Sequence, residues 1–320
     1  MKAPIRIVFF GTPDFAVPSL RALLAGTDPV VGVVCQPDKP AGRGRHLNAP
    51  AVKLVAAEAG VEVLQPEKLR PPEFLEALRR WAPDLIVVAA YGRILPKSVL
   101  ELPAHGCINV HGSLLPKYRG AAPIQWAILR GEDVTGVTIM QMNERMDAGD
   151  ILVQRETAIG SDETYGELQV RLAESGAQAL TEAIVRLHAG TLRAQAQREE
   201  DVTLAPMIAK DNGCIDWTQS AVSIARMVRA FNPWPSAFTY VDGKLLKIHR
   251  AHVGSAGRGT VGSVAHVQGD LVVVTGDGRL VLDELQLEGR KRLSAAELAR
   301  GGGIKVGTVL GPSPAGKGWV

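Results

Sequence analysis

The first half of the chain alternates short, apolar, β-rich runs with segments of helical periodicity, and that alternation leaves few folds open. The runs IRIVFF (5–10), PVVGVVC (29–35), DLIVVAA (84–90), GCINV (106–110) and GVTIMQM (136–142) read as strands. Their hydrophobicity is nearly continuous, as in strands covered on both faces. Between them, residues 14–24, 51–59, 72–81 and 122–129 read as helices with turn residues at their ends. The expectation is an α/β domain with a doubly wound, largely parallel, Rossmann-like sheet. A longer amphipathic helix over 164–187, preceded by Ser161-Asp162-Glu163-Thr164 as a capping stretch, closes this domain at about residue 189.

A different texture follows. Residues 190–210 lose periodicity and turn polar, as a linker does, and a second domain is expected over 211–320. After a helix at 219–230, short strands at 237–241, 244–253, 263–267, 270–275 and 279–287 are joined by Asp242-Gly243, Gly269-Asp270 and Gly276-Asp277-Gly278. Such Gly/Asp pairs are hairpin signals, and this many short strands in so little chain predict a small OB-like β-barrel, an architecture that commonly binds nucleic acid. Charge points the same way. From residue 210 onward there are 14 Lys+Arg against 9 Asp+Glu, whereas residues 1–209 hold 22 against 24. The basic excess suits a phosphate-bearing partner for the second half.

Several classes are disfavoured. The apolar stretch Ile5–Phe10 is too short for a secretory h-region, and no run approaches the ~20 apolar residues of a membrane span. The three cysteines, Cys35, Cys107 and Cys214, lie far apart with no CxxC, which argues against zinc and disulfides and fits a reducing, cytoplasmic setting. The first turn, Phe10-Gly11-Thr12-Pro13-Asp14, lacks GxGxxG, and no acid ends the second strand, so no nucleotide cofactor is expected.

The densest chemical signal is Gly106-Cys-Ile-Asn109-Val-His111-Gly-Ser113-Leu-Leu-Pro116-Lys-Tyr-Arg-Gly120. Asn109 and His111 stand at alternate positions of one strand, so their side chains leave on the same face and can meet one ligand. They sit at a strand's carboxyl end before a Gly/Pro-rich loop, where open parallel sheets build crevices. An amide donor beside an imidazole supplies the groups that acyl transfer to an amine requires. In the loop Asn143–Asp150, either Asp147 or Asp150 is placed to orient the imidazole.

The segments NVHGSLLPKYRGAAPIQWAI, MDAGD and GTPDFA, with QPDKPAGRGR, AYGRILP, GCIDW and RAFNPWP, resemble the folate-dependent formyltransferases nearly end to end. The last features resemble the branch of that family whose acceptor is methionyl-tRNA. The resemblance implies 10-formyltetrahydrofolate as formyl donor and the acceptor arm of initiator methionyl-tRNA as partner, with no metal and a monomeric enzyme. It implies Asn109, His111 and Asp147 as catalytic residues. Ser113, Leu114, Leu115 and Pro116 would line the folate site, with Tyr91, Gly92 and Ile94 beside the pterin. Arg43 and Arg45 would lie in the loop that engages tRNA, and glycines flanking these arginines independently suit a mobile, phosphate-seeking loop. One departure stands out: where the family usually carries Tyr-Ala-x-Lys before the second domain, this chain has Leu204-Ala-Pro-Met207.

Overall fold

The structure, a computed structural model, describes residues 3–41, 46–267 and 270–311. It resolves into two compact units: Met1–Pro123 with Val134–Ala158 and Gln169–Pro206, and Ile124–Asp133 with Ile159–Leu168 and Met207–Val320.

The first unit is built on a seven-stranded sheet. In chain order its strands are β1 (Ile7–Gly11), β2 (Val30–Val34), β3 (Val63–Leu64), β4 (Leu85–Ala89), β5 (Cys107–His111), β6 (Val134–Gln141) and β7 (Ile151–Ala158). The spatial order is β7-β6-β5-β4-β1-β2-β3. β1 pairs in parallel with β2 and β4, β2 with β3, and β4 with β5, while β6 and β7 are antiparallel. The chain thus leaves β1 to one side, returns, and continues on the other, which opens a crevice at the carboxyl ends of β1, β4 and β5.

Every residue of β1 and β4 is buried, in keeping with their unbroken apolar sequence. The helix Pro72–Trp81 turns Phe74, Ala77, Leu78 and Trp81 inward, and the Trp81 ring occupies the space where a Cβ on Gly32 would stand. A side chain at position 32 would therefore drive that helix off the sheet.

Two strands of this sheet escape the sequence reading. β7 is an edge strand whose exposed side alternates Gln154, Glu156 and Ala158 with inward residues, so it reads as polar loop. β3 has only two residues and presents no pattern. The helix expected at 164–187 runs from Tyr165 to Ala189, with Thr164 and Glu167 exchanging hydrogen bonds as a capping box.

In the second unit, Ala237–Val241, Lys244–Val253, Arg279–Leu287, Asp270–Val274 and Val264–Val267 form one antiparallel sheet in that spatial order. Its two edges are both met by the chain's last described stretch: Gly311 bridges Tyr240, and Val309 bridges Ser263. That closure removes the open edges and makes a barrel, as expected for an OB-like domain. The Asp242-Gly243 turn adopts φ of 47° and 76°, the left-handed pair a two-residue hairpin requires. Leu246, Ile248, Val273, Leu280 and Leu285 fill the interior at 0% exposure. Trp217 packs with them, its indole N–H donating to Thr239 Oγ1 at 3.1 Å. Among the described residues no helix is long and apolar enough to cross a membrane.

Candidate active site

β5 lies between β4 and β6, in register with Asn109 beside Val88 and Met140 and with His111 beside Thr138. His111 is buried, whereas Asn109 is half-exposed and its side chain has no hydrogen-bond partner among the described residues. The imidazole Nε2 stands 3.0 Å from the carbonyl oxygen of Tyr118. A carbonyl only accepts, so Nε2 carries a proton and donates it to that bond. Nδ1 is thereby left facing Asp147, whose Oδ2 lies 3.8 Å away. Of the two candidate acids, Asp147 is the one beside the imidazole; Asp150 is exposed.

Asp147 holds a left-handed backbone, φ 49°, which a non-glycine residue adopts at a cost. Two groups far along the chain hold it there. The Gly120 N–H donates to Asp147 Oδ2 at 2.9 Å, and the Gln197 amide donates to the carbonyls of Asp147 and Gly149 at 2.9 and 2.7 Å.

The segment after β5 is organised by one buried hydroxyl. Thr138 Oγ1 donates to the Ser113 carbonyl at 2.6 Å and accepts from the Leu115 N–H at 3.1 Å and from Gln154 Nε2 at 3.0 Å. Ser113 turns its own hydroxyl to the Lys117 carbonyl at 2.6 Å. Ser113 and Leu115 are buried while Leu114 and Pro116 are partly exposed. Thr138→Val, nearly isosteric, leaves the Leu115 N–H and the Ser113 carbonyl without this partner. Leaving such groups unpaired costs about 1–3 kcal/mol, read as a lower denaturant midpoint, and Thr138→Ser is expected to restore most of it.

Beyond β4, the Tyr91 ring is 1% exposed and meets Phe10 edge-to-face at 5.2 Å, and burial pushes its phenol up to about 12. Its side chain belongs to the core, while its carbonyl accepts from Gln36 Nε2 at 2.8 Å and Thr12 Oγ1 at 3.3 Å. Gly92 is exposed and Ile94 is 74% exposed. Arg43 and Arg45 lie outside the described residues. The strands flanking them, Lys39–Ala41 and His46–Asn48, pair antiparallel and so bring the two roots of that loop together.

Thr138, Gln154, Gln197 and the Gly120 amide were not singled out from sequence. Thr138 is one hydroxyl in an apolar strand, and Gln197 sits in a polar stretch that reads as surface connection.

Residues 5–184 match the family described as formyl transferase, and residues 207–303 match the formyl transferase C-terminal domain. The chain belongs to the formyl transferase family. A methionyl-tRNA formyltransferase from Desulfotalea psychrophila is 52% identical to it over 308 residues, covering 96% of this chain and 95% of that protein. Solved structures share the fold at lower identity. An N-formyltransferase from Helicobacter canadensis, in complex with folinic acid and dTDP-3-aminofucose, aligns with a TM-score of 0.64 at 18% identity over 87% of this chain and 98% of that one. HypX from Aquifex aeolicus, in complex with tetrahydrofolic acid, aligns at 0.61 with 21% identity over 92% of this chain, which spans 47% of HypX.

In this formyl transferase burial pushes the Cys35 thiol up to about 11 and Cys107 up to about 12, and raises Cys214 as well, which disfavours the thiolate at each.

Proposed function

We propose that this formyl transferase moves the formyl group of 10-formyltetrahydrofolate onto the α-amino group of methionyl-tRNA, with Asn109, His111 and Asp147 as its catalytic residues. The observation that carries the reading is the pairing at the end of β5: an uncommitted Asn109 amide beside an imidazole whose Nδ1 faces the Asp147 carboxylate. The identity with the Desulfotalea protein over nearly the whole of both chains supports the choice of acceptor.

An α-amino group has an ordinary pKa of about 7.7–8.0, so a neutral nucleophile is available near pH 7 without a strong base. As the amine nitrogen bonds to the formyl carbon, negative charge grows on the formyl oxygen. The Asn109 amide N–H is placed to donate to that oxygen. His111 Nδ1 receives the proton from the attacking nitrogen and returns it to N10 of the folate as the C–N10 bond breaks. Asp147 supports the transient imidazolium, while the Tyr118 carbonyl fixes the ring's orientation. No bond from enzyme to substrate is required.

The turn 113–116, with Tyr91, Gly92 and Ile94, forms the donor side in this reading. The OB-like barrel and the loop bearing Arg43 and Arg45 form the acceptor side, and the enzyme acts as a cytoplasmic monomer. The test is formylation of charged initiator methionyl-tRNA with labelled donor, run beside charged elongator methionyl-tRNA, an amino-sugar nucleotide and no acceptor. Transfer to a sugar nucleotide alone, or formate release without acceptor, overturns the proposal. In the same assay Arg43→Ala is expected to lower kcat/KM for tRNA with donor affinity unchanged, and Arg45→Ala to act more weakly and mainly on the salt-sensitive affinity, with its largest effect at low salt.

A further inference from the structure

The polar stretch before the second unit is tied to two of the three side chains proposed as catalytic, His111 and Asp147. Thr203 Oγ1 accepts from the Tyr118 N–H at 2.9 Å, and Tyr118 is the residue whose carbonyl holds His111. Leu204 and Ala205 pair in parallel with Arg119 and Gly120, and the Gly120 N–H is the donor to Asp147. Gly120 has φ 130°, and a Cβ there would meet the Ala205 carbonyl, so the ladder can close only on a glycine.

Gln197 is the most committed residue of this stretch. It is half-buried amid exposed neighbours. Its amide nitrogen spends both hydrogens on the carbonyls of Asp147 and Gly149, and its oxygen accepts from Arg119 Nε at 2.9 Å. Arg119, 6% exposed, is fixed in turn by Glu199, whose carboxyl its hydrogen bond holds below the usual range. Among the described residues the hydrogen bonds from Gln197 to this loop go to the backbone carbonyls of Asp147 and Gly149, at a residue whose φ of 49° needs holding.

We propose that Gln197 is a positioning residue for formyl transfer: by fixing the Asp147–Gly149 backbone to Arg119 it keeps the Asp147 carboxylate facing His111 Nδ1. This rests on the catalytic assignment proposed above. An amide is required at this place, since it must donate twice and accept once, which neither a carboxylate nor an aliphatic side chain can do. A displacement of about 1 Å in a reacting constellation is worth up to ~10²-fold in rate.

The test compares Gln197→Leu, Gln197→Glu, Asp147→Asn and the double variant Q197L/D147N. For each, kcat and both KM values are measured, with binding of 5-formyltetrahydrofolate as the donor probe and thermal melting as the check on folding. Gln197→Leu and Gln197→Glu are expected to lower kcat by about tenfold to a hundredfold. Both KM values and the probe affinity should stay within about twofold. Adding Gln197→Leu to Asp147→Asn should change kcat by less than about twofold, since both act through one carboxylate. Should Gln197→Leu not fold, Gln197→Glu carries the same comparison, because it keeps the acceptor for Arg119. Unchanged kcat in the Gln197 variants, or a loss that multiplies with that of Asp147→Asn, overturns the inference while leaving the catalytic assignment intact. Wild-type kcat in Asp147→Asn itself overturns both.

Discussion

His111→Ala is expected to lower kcat by about 10²- to 10⁴-fold, the span that positioned proton transfer supplies, and Asn109→Ala by about 10²- to 10³-fold as a lost oxyanion donor. Both figures follow from where the groups stand. The imidazole is buried, its Nε2 committed to Tyr118, so Nδ1 alone is left to exchange protons with substrate and water has little room to replace it. The Asn109 amide makes no bond within the described protein, and deleting it leaves no buried partner orphaned. Its loss should therefore appear in rate and not in stability. Single-turnover transfer at saturating donor and charged tRNA reads the chemical step directly. The double variant should fall short of the product of the two single losses, as residues acting on one transition state do. Turnover within a few-fold of wild type in either single variant would remove that residue from the chemistry.

The residues that sequence made legible are those whose placement depends on local rules. Asn109 and His111 share a face because side chains alternate along any strand, and the crevice position follows from the βα alternation that builds a parallel sheet. The turn at Asp242-Gly243 was readable because the φ values of 47° and 76° found there are ones that Asp-Gly supplies cheaply. What remained hidden is long-range. Gly120 and Asp147 are 27 residues apart and Gln197 is 50 from Asp147, and no local pattern marks a residue for a partner at that distance. β7 was hidden for a second reason: it is an edge strand with one face exposed and polar, so it shows no continuous apolar run. Leu204 and Met207, which replace the family's usual tyrosine and lysine, are 64% and 79% exposed. Leu204 still pairs with Arg119 through its backbone, so the ladder next to the site does not depend on the missing tyrosine ring.

Phe10→Ala should have the largest effect on stability, about 3–5 kcal/mol, the usual cost of deleting a phenyl ring from a close-packed interior. Phe10 is 0% exposed in an inner strand of the sheet and meets the rings of Phe74 and Tyr91 edge-to-face, with centroids at 6.5 and 5.2 Å. Each such pair adds about 0.5–1.5 kcal/mol beyond the area it buries. Relaxation into the cavity is restricted, because β1 is pinned in register by β2 and β4 on its two sides. A loss of this size is a large share of the ~5–15 kcal/mol that holds a typical domain, so the variant should unfold at a markedly lower denaturant midpoint with an unchanged slope. The consequence for function runs through Tyr91. Its ring rests on Phe10, while its carbonyl receives Gln36 and Thr12 at the donor side proposed above. Under conditions where Phe10→Ala remains folded, affinity for 5-formyltetrahydrofolate should weaken while the chemical step at saturating donor is largely kept, the reverse of the pattern expected for Asn109→Ala. Phe10→Leu, which refills most of the space, should recover both properties in parallel. Recovery of stability without recovery of donor affinity would show that the edge-on contact with Tyr91, and not the filled volume, sets the donor side.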